Sequence, residues 1–288
     1  MTRVRKARSN ESYKRRQTMI RVILFLFLLA GSVLVLAPIY YLFISSVKTS
    51  GELALYPPTL WPREWHFENY VNAFNQVPFA RFTLNTLLYA GLTVIANVVV
   101  NSFISYGFAK IEFPGRKIWF GFVLATMMIP GFITLVPKFI MFSKLGWVGW
   151  YLPLLIPAFF GDPFRIFMMR QFYKTIPNEL IEAAKVDGAS HFYIWARLMT
   201  PLVKPLLATV AIISFKAAWN DFQGPLLYVR QEAWYTIQIG LQMFRGQNAT
   251  QWNYIMAMSL LSMLPVLILF FLFQNYFIKG MDVSGSLK

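Results

Sequence analysis

With 288 residues, 57% of them hydrophobic and 14% charged, and a mean hydropathy of +0.50, the chain is too apolar for an ordinary soluble domain. Its net charge of +15 is crowded before the first apolar run, where Arg3, Arg5, Lys6, Arg8, Lys14, Arg15, Arg16 and Arg21 stand with Glu11 as the sole acid. That placement marks membrane topology more simply than it marks a nucleic-acid surface. There is no cysteine, so disulfides, thiolate catalysis and cysteine metal sites are excluded, and the two histidines, His66 and His191, form no HExxH pair.

Taken in order, the chain predicts a basic arm (1–21), an all-α domain of six membrane-spanning helices (22–278) and a short polar tail (279–288). Val22–Ile44 is long enough to cross a bilayer and has a poor cleavage site, so a retained anchor is expected. A loop rich in Pro and Trp follows to Arg81 and suits interfacial turns, with a short helix over Glu68–Phe74 and a surface histidine at His66. The second span, Phe82–Ala109, carries Asn85, Asn97 and Asn101, the last two one helical turn apart on one face. Amides in hydrocarbon need partners or a wet cavity, so they serve either interhelical packing or a solute path. Ile118–Val136, the third span, is interrupted by Pro130-Gly131; broken helices are pointers to a transport path. The fourth, Tyr151–Phe172, is broken at Gly161-Asp162-Pro163, and Asp162 and Arg165 are placed to pair on one face.

The stretch after it is polar and helix-favouring. Asn178 is placed to cap a helix that opens with Glu179 and Glu182 in its first turn, continues through Ala183 and Ala184, and stops at Gly188. Phe192, Trp195 and Leu198 then recur at one-turn spacing, and Pro201 and Pro205 are expected to end that second helix. Such a hairpin either covers the end of a membrane bundle or docks a soluble partner. Pro201–Trp219 is the fifth span and Tyr254–Ile278 the sixth, with a kink at Pro265. Six spans put both termini on one side, and most of the 27 Lys and Arg fall on that side, so the termini and the hairpin are expected in the cytoplasm.

Energy conversion by the chain itself is not foreseen. No glycine is followed by lysine, so there is no phosphate loop of the GxxxxGK[ST] type. Apart from Glu179, Glu182 and Asp187, the acids are scattered, which argues against a membrane-embedded enzyme and for a conduit driven by something else.

Glu182-Ala183-Ala184, Asp187-Gly188-Ala189, Leu198 and Pro201 resemble the EAA loop of ABC importer permeases, with Thr200 in place of the usual leucine before the proline. The likeness extends over nearly the whole chain and is nearest to carbohydrate-uptake permeases of the maltose-permease type, as in Phe67-Glu68-Asn69-Tyr70, Met127-Met128-Ile129-Pro130 and Trp219-Asn220-Asp221-Phe222. The tail from Met281 departs from the family's ending. The resemblance implies a multi-pass subunit of the bacterial or archaeal cytoplasmic membrane that forms a heterodimer with a second permease. Two ATP-binding subunits would hold the ATP and Mg, leaving this chain without cofactor or metal, and an extracytoplasmic binding protein would deliver a sugar or another solute. It assigns coupling to Glu182, Ala183, Ala184, Asp187, Gly188, Ala189 and Pro201. Polarity and position nominate Asn97, Asn101, Thr126 and Asn220 as residues of the translocation path, with membrane lipids around the bundle and no role for nucleic acid.

Overall fold

The computed structural model describes residues 2–246 and 250–285, with side chains from 17 to 246 and from 250 to 274. The chain divides into two units, Met1–Ala73 with Asn248–Leu260 and Phe74–Gln247 with Leu261–Lys288. No β-strand occurs among the described residues.

In the first unit, α1 (Thr2–Ser46) is a single helix of 45 residues. Its apolar window within Gln17–Ser46 has nothing buried, as expected of a surface meant for lipid or a partner rather than a core. Beyond it the chain turns around a buried lysine. Lys48, 2% exposed, donates to Thr59 Oγ1 at 2.7 Å and lies 3.9 Å from the buried Glu52. Asn69 donates to the carbonyls of Ser46 and Lys48, both at 2.9 Å, and accepts from Asn253 at 3.1 Å. Lys48, Glu52 and Asn69 each have partners, since leaving such a group bare costs about 1–3 kcal/mol. His66 is surface-placed as expected, and its ring is hydrogen-bonded to Glu68, which holds that carboxyl below its ordinary range. Helix α2 (Glu68–Gln76) runs two residues beyond its expected end.

The second unit is built around α3 (Phe79–Lys110), which matches the second expected span. It packs mainly against α6 (Pro163–Thr175) and α9 (Lys204–Trp219). The third span departs from expectation. Rather than one helix over 118–136 there are two, α4 (Arg116–Thr126) and α5 (Leu135–Lys144), separated by turns. Pro130 has no N–H for an inner turn, and the hydroxyls of Thr126 and Thr134 cover the carbonyls of Val123 and Gly131 at 2.7 and 2.8 Å.

The fourth span is a chain of pieces: Leu152–Leu155, a 3₁₀ turn at Ile156–Phe160, the break at Gly161 and then α6. After α7 (Glu179–Val186) and α8 (His191–Leu202), the chain turns through 85° at Val203 into α9. Pro201 lies inside the last turn of α8 instead of ending it, just beyond a π-helical stretch at Ile194–Met199. In that stretch Trp195 O accepts from the backbone N–H of Thr200, a five-residue closure that adjusts the ladder ahead of the proline. The short helices α10 (Gln223–Tyr228) and α11 (Ile237–Gln242) precede α12 (Trp252–Gly285), which contains Pro265 and runs beyond the expected span end at Ile278. The last three residues of the expected tail lie outside the described residues. Four helices or helical runs are long and apolar enough to cross a membrane among the described residues, or five if α8 and α9 count as one bent span.

Candidate functional site

The hairpin α7–α8 is held together by its turn. Beyond Val186, Gly188 donates to the Lys185 carbonyl at 3.0 Å and Ala189 to the Ala184 carbonyl at 2.9 Å, the paired bonds of a Schellman motif. That motif needs a left-handed residue, and Gly188 supplies it at φ +79° with open space where a Cβ would stand. Ser190 then caps α8 by accepting from the Tyr193 N–H at 3.3 Å. Asn178 heads α7 without capping it: its side-chain oxygen accepts from Lys110 Nζ at 2.7 Å instead.

The two faces of the hairpin differ in kind. Ile181, Ile194 and Met199 are buried with Tyr106, Met169, Tyr173, Val203 and Leu206, and Ala184, Ala189, Trp195 and Leu198 pack around them. Burying side chains of this size is worth about 1.5–3 kcal/mol each, enough to seat the hairpin firmly. Outward stand Glu182, Ala183, Asp187 and Gly188, together with apolar Leu180 and Val186, the last 87% exposed. Phe192, expected on the inner face, is 64% exposed; the π-helical stretch places Ile194 and Met199 inward in its stead.

The inner end of α3 bolts the hairpin down. Ser102 Oγ is hydrogen-bonded to the Tyr173 hydroxyl at 2.7 Å and accepts from Trp195 Nε1 at 3.0 Å. The Tyr106 hydroxyl meets His191 Nδ1 at 2.9 Å, and Lys110 Nζ reaches the Ile176 carbonyl as well as Asn178. Burial, with Lys185 as a smaller contribution, lowers the His191 imidazole below its ordinary range. Glu182 shares a groove of about 490 Å³ with Lys110, Glu112, Arg116 and Lys185, so the lysines and arginine outnumber the two acids there. None of Ser102, Tyr106, Lys110, Tyr173 or Trp195 stood out as functional in the sequence. A signal was present in α3, where polar residues recur every three or four positions from Asn97 to Lys110.

The residues nominated for the path separate. Asn97 and Asn101 share a face as expected, and Asn101 donates to the Asn97 carbonyl at 2.6 Å. Asn101 also accepts from the Asp162 N–H at 2.6 Å, so it holds the break in the fourth span rather than awaiting a ligand. Asp162 caps α6 by accepting from the Arg165 N–H at 2.9 Å and pairs with its guanidinium at 2.9 Å, the pairing the sequence suggested. Thr126 and Asn220 are exposed and bond to their own helices, at Val123 and Lys216. Only Asn97 of the four lines a polar cavity in the second unit, of about 520 Å³, with Tyr89, Thr93, Lys138, Arg165, Ser214 and Asp221 among its walls. Asp221, within the Trp-Asn-Asp-Phe segment, accepts from the Tyr89 hydroxyl and from the Gly224 N–H, both at 2.9 Å.

Over residues 101–283 the chain matches the family described as binding-protein-dependent transport system inner membrane component. It is 33% identical to the arabinooligosaccharides transport system permease protein AraQ of Bacillus subtilis, over 92% of this chain and 95% of that one. It is 31% identical to the sn-glycerol-3-phosphate transport system permease protein UgpE of Pectobacterium atrosepticum, over 88% and 93%. Its fold matches a chain in the crystal structure of a bacterial ABC transporter involved in the import of the acidic polysaccharide alginate, with a TM-score of 0.79 at 23% identity, covering 91% of this chain and 98% of the other.

Proposed function

The chain belongs to the family of binding-protein-dependent transport system inner membrane components, and from that premise we propose that its α7–α8 hairpin is the seat of an ATP-hydrolysing partner and that its cargo is a sugar or oligosaccharide. The chain is a multi-pass permease component of an ATP-binding cassette importer, working with a binding protein; ATP is hydrolysed by partner subunits. The observation that carries the proposal is the two-faced hairpin. Its inner face is locked into the core by Ile181, Ile194 and Met199, while Leu180, Ala183 and Val186 are left bare on the outside. An exposed apolar strip rimmed by charge suits a protein partner better than water.

A push on that strip has a short physical route inward. α8 continues through Val203 into α9, and Ser102, Tyr106 and Lys110 tie the hairpin to α3. Displacing the hairpin therefore moves two long helices of the unit together, which is what rigid-body alternation of access requires. In this reading Glu182 pairs with a basic group of the ATPase subunit, Ala183 permits close approach, and Asp187, Gly188, Ala189 and Pro201 shape the turn and the exit. Two ATPase subunits, bearing the ATP and Mg, and a second permease complete the assembly, with hairpin and termini on the cytoplasmic side. Sugar cargo is supported by the likeness to the arabinooligosaccharide permease; the likeness to the glycerol-phosphate permease favours a second reading in which the cargo is a phosphorylated polyol.

Reconstitution with the partner permease, ATPase and binding protein tests both parts. Binding-protein-stimulated ATP hydrolysis that carries labelled sugar into vesicles supports them. Hydrolysis by the isolated chain, or uptake that survives Glu182→Lys at the wild-type rate, contradicts the coupling role.

A further inference from the structure

We propose that the cation cluster where α4 meets α6 holds the phosphate head of an anionic phospholipid, with a chain of the same lipid in the aromatic groove beside it. The inference depends on the chain being a membrane protein and not on the coupling role of the hairpin.

The cluster comes from two elements. Arg116 and Lys117 open α4, and Arg170 and Lys174 lie one turn apart toward the end of α6. Arg116 and Arg170 are close enough to repel each other, and Lys174 is near both. Among the described residues none of the four forms an ion pair. Arg170 is the sharpest case. It is 9% exposed, its Nε donates to the Phe108 carbonyl at 3.2 Å, and its guanidinium lies over the Phe120 ring at 3.9 Å. Its other N–H donors have no acceptor among the described residues, yet its terminal nitrogens, unlike Arg165 Nε, keep accessible surface. A buried charge left unpaired is costly, and an anion supplied from outside offsets that cost. Membrane topology does not account for the arrangement. Exposed loop cations satisfy the positive-inside bias, which gives no reason to bury an arginine beside other cations.

What adjoins the cluster decides the class of anion. Arg116 and Lys117 line a surface cavity of about 450 Å³ with Phe113, Gly115, Ile118 and one acid, Glu112. Phe113 also lines the next cavity, a groove of about 410 Å³ walled by Phe108, Trp119, Phe122, Phe160 and Ile166 among others. The polar side chains there are Trp119 and Thr126, and the Thr126 hydroxyl is spent on the Val123 carbonyl. A soluble phosphate or an acidic protein segment leaves that groove empty, and an apolar helix leaves the cations bare. An anionic phospholipid fills both, and basic pockets between membrane helices are places where such heads bind.

The absence of cysteine makes a direct test available. Thr126→Cys places one thiol on the wall of the groove, where it carries a small fluorophore. The full transporter is reconstituted in phosphatidylcholine vesicles containing increasing fractions of phosphatidylglycerol with brominated chains, which quench the label on contact. Brominated phosphatidylcholine in unbrominated vesicles serves as the reference. The anionic lipid is expected to quench at a mole fraction about tenfold lower than the neutral one. Lys117→Gln should weaken that preference about fivefold, the effect of one cation near a lipid surface, and Lys117→Gln with Lys174→Gln should abolish it. Both lysines are exposed, so neither change threatens the fold, and Arg170 is left in place. Lys144→Gln, which removes an exposed cation at the end of α5, should change nothing. Equal quenching by the two lipids, or an equal loss with Lys144→Gln, overturns the site in favour of diffuse surface charge. Quenching by neither lipid means that protein covers the groove and also overturns it. If glycerol phosphate added to the water abolishes the preference, the cluster takes a free anion and the lipid assignment is wrong.

Discussion

Two stretches of one helix, α3, use their polar side chains to different degrees. Between residues 101 and 110, Asn101, Ser102, Ser105, Tyr106 and Lys110 each bond to a neighbouring element: the 161–166 segment, Tyr173, Trp195, His191 or Ile176. Between residues 89 and 97 the helix lines a cavity, where Tyr89 donates to Asp221 but the buried Thr93 hydroxyl has no hydrogen-bond partner. A satisfied polar network makes a rigid joint, because every displacement breaks a bond that water cannot readily replace. An unsatisfied one is a standing cost unless something other than protein fills it. The same helix is thus bonded to its neighbours at the hairpin and lines a cavity farther along.

That contrast can be broken at the bolted end first. The largest effect is expected from Glu182→Lys, which puts a further cation among Lys110, Arg116 and Lys185 and repels any basic partner. Uptake should fall more than about tenfold, the loss that 1.4 kcal/mol brings, while the amount of protein in the membrane is unchanged. Next comes Asn101→Leu, which strips the acceptor from the Asp162 N–H and removes the donor to Asn97. A loss of about 2–3 kcal/mol of stability is expected, read as a lower midpoint of thermal unfolding in detergent. Gly188→Ala should cost about 1–2 kcal/mol from its left-handed backbone alone, since nothing stands where the methyl would go, and it should weaken partner binding more than insertion. Tyr106→Phe removes one bond to His191 and should cost about 1 kcal/mol, seen as faster amide exchange confined to residues 179–202.

The smallest effect is one of pH. Because the folded His191 is depressed below its ordinary value, the unfolded state binds the proton more readily. The stability this histidine contributes is complete above about pH 6.5, its unfolded value, declines below that and levels off beneath the folded one. Exchange of the hairpin amides should therefore be faster, after correction for intrinsic rates, at pH 5.5 than at pH 7.5, and Lys185→Gln should slightly reduce the difference.

How much of this could be read in the chain depended on distance along it. The hairpin was legible because its signals are local: Gly188 sits where a left-handed residue is required, and Glu179 and Glu182 lie in the first turn of α7. Asn97 with Asn101 and Asp162 with Arg165 were legible for the same reason, being one helical turn apart. The capping role expected of Asn178 was lost to Lys110, a residue 68 positions away that offers a charged donor. Periodicity also misled at α8, where a π-helical stretch shifts the inner face from Phe192 to Ile194, and at 118–136, where Pro130-Gly131 divides a helix that hydropathy alone would continue. The cavity was out of reach altogether, since Thr93 and Ser214 carry no pattern of their own and come to line it only through the packing of α3 and α9. Of the nominated path residues, Asn97 lines the cavity, whereas Thr126 and Asn220 bond to their own helices.

The central claim is that the outer face of the hairpin is covered by the ATPase subunit, and cross-linking from that face tests it most directly. With no native cysteine, Val186→Cys places a single thiol on the most exposed apolar position of α7. In membranes containing the assembled transporter, a short bifunctional thiol reagent should join position 186 to an ATPase subunit bearing an engineered surface cysteine, and Glu182→Lys should diminish the product. If position 186 instead stays open to water-soluble alkylation in the assembled, ATP-hydrolysing complex and links to no ATPase subunit, the hairpin only closes the end of the bundle and the coupling account is wrong.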